Sequence, residues 1–170
     1  NKYELYLLLG GDVMFLGKTA QGRVVKTINS VDENGYVYPL NLVQIKGYKN
    51  RYAFVMGVTH TVCNFDGRII AALVPKDPEN TDLKTIWIMA SRSSRYINQD
   101  IYQYIDVKKD FPEYELVCYY ESSAGAVVYR SIKGKLRFLL IKNKRSANWG
   151  FPKGHLEMRE TKYDAARREV

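Results

Sequence analysis

Residues 150–170 read GFPKGHLEMRETKYDAARREV, and their spacing governs how the whole chain is read. Gly154 is followed by five residues and Glu160, then by seven residues and the pair Arg168-Glu169. Thr161 is placed to cap a helix, with Asp164 three residues on as its partner and a favourable charge in the first turn. On that helix Tyr163, Ala166 and Val170 fall at i, i+3 and i+7, which predicts a buried face. Arg168 and Glu169 then project from a different side. A loop glycine lets the backbone approach a ligand closely. Carboxylates on the following helix can gather a hard divalent cation, which diphosphate chemistry needs to neutralise phosphate oxygens.

Working upstream, "SAGAVVYRS" and "KLRFLLIKNK" predict a β-hairpin turning at Lys133-Gly134. An ordinary amphipathic helix with a charged face would explain the helix alone. It would not explain the glycine, the spacing and the hairpin together.

The pattern G-x5-E-x7-R-E followed by an aliphatic residue resembles the first part of the Nudix box, G-x5-E-x7-R-E-U-x-E-E-x-G-U. Residues 154–170 supply that first part, and the later E-E pair falls beyond Val170. The resemblance implies hydrolysis of a nucleoside diphosphate linked to another group, with Mg²⁺ or Mn²⁺. It implies that Glu169 is a metal ligand or general base and that Arg168 orients it. Glu160 would be a supporting carboxylate, or a ligand through water. The backbone carbonyl of Lys153, beside Gly154, would also reach the metal. "WGFPKGHLE" is most similar to the dinucleoside-polyphosphate and diphosphoinositol-polyphosphate branches. There Lys153, with Lys144 or Arg145, would suit consecutive phosphates. On this reading the chain is an incomplete Nudix fragment, not competent by itself, and the apolar face of its last helix needs a cover. Either the partial domain is frayed, or a neighbouring element or another chain covers it, a homo-oligomer among the options.

The net charge of +8 is uneven. Residues 131–170 hold 11 Lys/Arg against 4 Asp/Glu, whereas residues 1–130 hold 15 against 14. The basic field therefore belongs to the C-terminal segment and favours polyanions such as nucleotides and polyphosphates. No run is long and apolar enough for a membrane span, and no signal peptide is visible, so a cytoplasmic location is expected. Cys63 and Cys118 have no metal-ligand spacing and read as two buried free thiols.

Residues 1–90 read as short strands: "YELYLLLGG", "RVVKTI", "YVYPLNLVQI", "YAFVMGVTHTV", "GRIIAALV" and "TIWIMAS". Strands at this spacing predict a small barrel or sandwich. Tyr96, Ile97, Ile101, Tyr104 and Ile105 then recur at helical spacing, which predicts one helix over about 95–109, closed by Pro112.

Roughly residues 17–110 resemble a soluble inorganic pyrophosphatase of the short bacterial form. "YPLNLVQI" stands at that family's Y-P-x-N strand, and Asp77, Asp82 and Lys84 reproduce its D-x4-D-x-K segment. The family's D-x-D-x-x-D cluster is missing, because the corresponding stretch is "GYKNRY". Without those carboxylates several Mg²⁺ ions cannot be held against a pyrophosphate. The site is therefore read as degenerate, and Asp77, Asp82 and Lys84 fit a solvated loop equally well.

The expected architecture is α+β, mainly β. A small OB-like barrel with a C-terminal helix occupies residues 1–115, and the first hairpin and helix of a Nudix α/β/α fold occupy residues 116–170. The expected function is Nudix-type hydrolysis of a nucleoside polyphosphate, with a dinucleoside polyphosphate favoured. The alternatives are a barrel that binds nucleotide or single-stranded nucleic acid as a regulatory module, and a residual pyrophosphatase.

Overall fold

The structure, a computed structural model, describes residues 15–120, 122–142, 147–157 and 160–170. The expected strand "YELYLLLGG" lies outside these residues, as do Lys144 and Arg145. The protein is mainly β with few helices, and its largest unit is a closed five-stranded barrel.

The ring is built from β1 (Thr19–Lys26), β2 (Asn41–Ile45), β3 (Tyr52–Val55), β4 (Asn64–Pro75) and β5 (Ile86–Ala90). Strand order is β1-β2-β3-β5-β4, and β4 returns to pair with β1. Only β3 and β5 run parallel within this ring. The long β4 makes closure possible. Its first residues pair with β1, as in Gly67↔Ala20, and its last carry β6 (Tyr114–Cys118), as in Leu73↔Leu116. A register shift between Ile69 and Ala71 sits between these two roles. Such a bulge bends a strand and sharpens its twist.

The bulge also reverses the face parity along β4. Ile69 packs with Val43, Val55, Trp87 and Met89, and beyond the shift Ala72 and Val74 join the same set. This set draws on all five ring strands, with Ala20 and Val24 from β1, and fills the barrel. Gly22 belongs on β1 for a steric reason: a Cβ there would lie 2.5 Å from the Val43 side chain. Ile70, Ala71 and Leu73 face the other way, with Phe54, Ile88 and Ala90, against Ile101, Ile105 and Val107.

The expected single helix is two short ones, α1 (Asn98–Tyr102) and α2 (Val107–Asp110). Ile101 and Ile105 are buried as their spacing predicted, but Tyr104 is exposed. The break has a local cause. Asp106 caps a new helix by accepting from the Lys109 N–H, which competes with continuing the first one. "YVYPLNLVQI" is a strand only from Asn41, since Pro39 has no N–H to donate to a ladder. Asn41 is buried, accepts from Ile28 N–H and donates to the His60 carbonyl. His60 itself is exposed. Of the two free cysteines Cys118 is buried, but Cys63 is exposed at the start of β4, which corrects that expectation.

Past the barrel come β7 (Ser123–Gly125), β8 (Tyr129–Ile132), β9 (Lys135–Phe138), β10 (Ile141–Lys142), β11 (Trp149–Gly150), β12 (Lys153–His155) and α3 (Lys162–Arg168). β8 and β9 form the expected hairpin, with φ of +52° at Lys133 and +73° at Gly134. Two successive positive φ values are the signature of a tight turn matched to strand twist. β7 pairs with β12 through Ala124↔Gly154, and α3 packs against both. The boundary expected at 115/116 falls inside β6, a strand paired with β4 along its whole length.

Candidate active site

Thr161 caps α3 as its sequence predicted, its hydroxyl accepting from the Asp164 N–H at 3.1 Å. The buried face of α3 is not the expected one. Tyr163 and Val170 are 71% and 59% exposed, and Ala165 is the fully buried residue. Turning Ala165 inward brings Arg168 and Glu169 over the β7–β12 pair, where Arg168 finds three partners.

Arg168 Nε donates to Glu160 Oε1 at 2.8 Å, and Nη2 donates to Glu160 Oε2 at 3.0 Å. This is the bidentate geometry that a planar guanidinium offers a carboxylate. Nη1 donates to Glu169 Oε1, and Nη2 also donates to the His155 carbonyl at 2.9 Å. Glu157 stands at the edge of the cluster, 3.9 Å from Nε.

The two carboxylates are not equivalent. Glu160 is 12% exposed, and its Oε2 also accepts from the Glu157 N–H at 2.8 Å. The Arg168 hydrogen bonds, followed by this backbone donor, hold its pKa down at about 2. Glu169 is 27% exposed and, among the described residues, its Oε2 has no hydrogen-bond partner. Glu160 is therefore a fixed strut, and Glu169 is the carboxylate with an oxygen to offer.

Gly154 makes room for it. A Cβ at this position would lie 2.2 Å from the Glu169 carboxyl carbon. In this arrangement the carboxylate occupies the volume that a side chain at 154 would take. Lys153 is exposed on β12 beside it. On β12's other flank Ser123 Oγ and His155 Nδ1 are 3.0 Å apart.

Sequence reasoning missed Asn98. It is buried, donates from Nδ2 to the Leu156 carbonyl at 2.8 Å, and accepts at Oδ1 from the Ser122 N–H at 3.1 Å. An asparagine on a short helix far away in sequence carries no signal of this kind.

The structure does not bring the barrel trio together as a metal site. Asp77 Oδ1 accepts from Glu79 N–H, Asp82 N–H donates to Asn80 Oδ1, and Lys84 Nζ donates to the Thr81 carbonyl at 2.6 Å. These are bonds internal to the β4–β5 loop. Asp77 and Lys84 do line a cleft of about 420 Å³ together with Lys49 and Arg51, whereas Asp82 does not.

Among the described residues no group of three His, Cys, Asp or Glu side chains is arranged to hold a metal ion. With Glu160 fully engaged by Arg168 and a backbone N–H, the described cluster does not constitute a divalent-metal site by itself. Nor is any helix among these residues long and apolar enough to cross a membrane.

No curated protein and no solved structure shows significant similarity to the chain. A family model described as NUDIX domain matches residues 120–170, the segment holding Gly154, Glu160, Arg168 and Glu169. Nudix hydrolases act on diphosphate-containing substrates and generally use divalent metals, and this match supports a hydrolase of that type.

Proposed function

We propose that the protein is a Nudix-type hydrolase that cleaves a phosphoanhydride bond in a nucleoside polyphosphate, with a dinucleoside polyphosphate as the favoured substrate. One observation carries the reading: Arg168 grips Glu160 and Glu169 at once, and Gly154 clears the space in which the Glu169 carboxylate stands. Glu169 is the general base or metal-facing carboxylate. Arg168 fixes its direction, and Glu160 fixes Arg168. Lys153 supplies positive charge next to the site, and Lys144 and Arg145 would add more for consecutive phosphates. Dependence on Mg²⁺ or Mn²⁺ is part of the proposal, with Glu169 and the Lys153 carbonyl as this segment's contribution. The test is hydrolysis of a dinucleoside polyphosphate by the full-length protein, with and without a chelator. Activity that survives chelation would remove the metal from the account, and no cleavage of any nucleoside polyphosphate would remove the hydrolase.

A second reading, of the barrel as a nucleotide- or nucleic-acid-binding module, is favoured by one feature. A groove of about 880 Å³ runs over β1, β2 and β4, lined by Arg23, Lys46, Lys49, Tyr48 and Phe65. Basic and aromatic side chains in one groove suit single strands. Salt-sensitive binding of single-stranded DNA that Lys46→Ala weakens would support it, and binding unaffected by salt or by that change would count against it.

A further inference from the structure

Three consecutive carbonyls, those of His155, Leu156 and Glu157, are each held by a different side chain. Arg168 holds the first at 2.9 Å, Asn98 the second at 2.8 Å and Gln99 the third at 2.8 Å. The first holder belongs to the proposed active site. The other two belong to α1, which packs on the barrel through Ile101.

We infer that Asn98, assisted by Gln99, is a positioning residue for the Glu160–Arg168–Glu169 cluster, so that a helix packed on the barrel sets the geometry of the active site. The inference rests on the functional reading above and extends it to residues outside the matched segment.

The connection is short. The Glu157 N–H donates to Glu160 Oε2 at 2.8 Å, so the place of the 155–157 backbone decides where Glu160 sits. Glu160 in turn takes two of the Arg168 N–H groups, and Arg168 aims Glu169. If the backbone at Leu156 moves, the cluster must move with it.

Asn98 fits this role because it reads two chain segments at once. Its Nδ2 can only donate and its Oδ1 can only accept. Here the first meets the Leu156 carbonyl and the second meets the Ser122 N–H, while Leu156 N–H donates to the Ser122 carbonyl at 3.0 Å. These three hydrogen bonds tie the three residues into a triangle. Asn98 is 5% exposed and Leu156 is equally covered, so water cannot easily replace the amide. Gln99 makes its bond at an exposed position and contributes less.

The test uses Asn98→Asp and Gln99→Ala in the full-length protein. Asn98→Asp preserves size and the acceptor for Ser122, but loses the donor to Leu156. Two readouts are taken: steady-state hydrolysis of the dinucleoside polyphosphate, and amide hydrogen exchange. For Asn98→Asp, kcat should fall about 10–100-fold, the range seen when a group that orients a catalytic ligand is lost, with KM within about twofold. Exchange at the Glu157 N–H should rise at least as much, while β4 and β5 amides stay protected. Gln99→Ala should show the same pattern more weakly.

Wild-type kcat and wild-type exchange at Glu157 in a folded Asn98→Asp protein would overturn the inference. So would a rise in exchange shared equally by β4 and β5, which would make Asn98 a general stability residue. Absence of turnover in the wild type would instead overturn the hydrolase reading, and the exchange measurement would still decide whether Asn98 holds the backbone at Leu156 and Glu157.

Discussion

Arg168 bonds Glu160 through two N–H groups and Glu169 through a third, so one guanidinium sets the position of both carboxylates. This makes the arginine hard to replace. Arg168→Lys keeps the charge but cannot span two carboxylates and the His155 carbonyl from one nitrogen. We expect kcat to fall by about 10²-fold, the order of loss when reacting groups are misplaced by about 1 Å. Stability should change little, because the group is partly exposed and such ion pairs are well screened. Near-wild-type kcat in Arg168→Lys would show that the bidentate grip is dispensable.

Gly154→Ala separates activity from folding. The nearest atoms to the new Cβ would be the far end of the Glu169 side chain, which can swing away. The melting temperature should stay within a few degrees of wild type, whereas turnover should drop about 10–100-fold as the carboxylate is displaced. A variant that melts as wild type and turns over as wild type would show that the space above Gly154 is not used.

These two residues also show what was legible in the sequence. The Gly154, Glu160 and Arg168-Glu169 spacing is legible as one cluster, because a glycine, a cap and charges at fixed intervals each have a local physical meaning. The turn at Lys133-Gly134 and the cap at Thr161 were legible for the same reason. The buried face of α3 was not. Apolar periodicity points to Tyr163 and Val170, but Ala165 is the buried residue, because periodicity alone does not say which neighbours the helix meets. The helix break before Asp106 was hidden because Ile101 and Ile105 remain buried with or without it. Barrel closure depended on a bulge between Ile69 and Ala71, a shift in pairing that residue types alone do not announce.

Acid should loosen the cluster in a defined window. The Glu160 pKa is lowered from an ordinary 4.5 to about 2, first by Arg168 and then by the Glu157 N–H. A carboxylate with a lowered folded-state pKa contributes stability that is fully present above its unfolded value. That contribution is lost as pH falls toward its folded value. The gap in unfolding midpoint between wild type and Glu160→Gln should therefore be constant above about pH 5 and close between about pH 4.5 and 2. Chemical denaturation across that range is the check, and a gap that does not depend on pH would contradict the ion-pair assignment.

The barrel should not hydrolyse pyrophosphate. The Asp77 carboxylate is tied into a turn of its own loop, Asp82 does not line the cleft, and the β2–β3 connection brings Lys49 and Arg51 there instead of carboxylates. The full-length protein with Mg²⁺ is expected to release no orthophosphate from pyrophosphate above background. Robust release would mean that this cleft assembles a metal site after all.

The most direct measurement is the turnover of Glu169→Gln on a dinucleoside polyphosphate with Mg²⁺ in the full-length protein. Glutamine can still accept from Arg168 but carries no charge and cannot take a proton. The account predicts a loss of about 10²–10⁴-fold in kcat, the range expected for removing a positioned general base. Unchanged turnover would contradict the role given to Glu169, and with it the reading of this cluster as the active site.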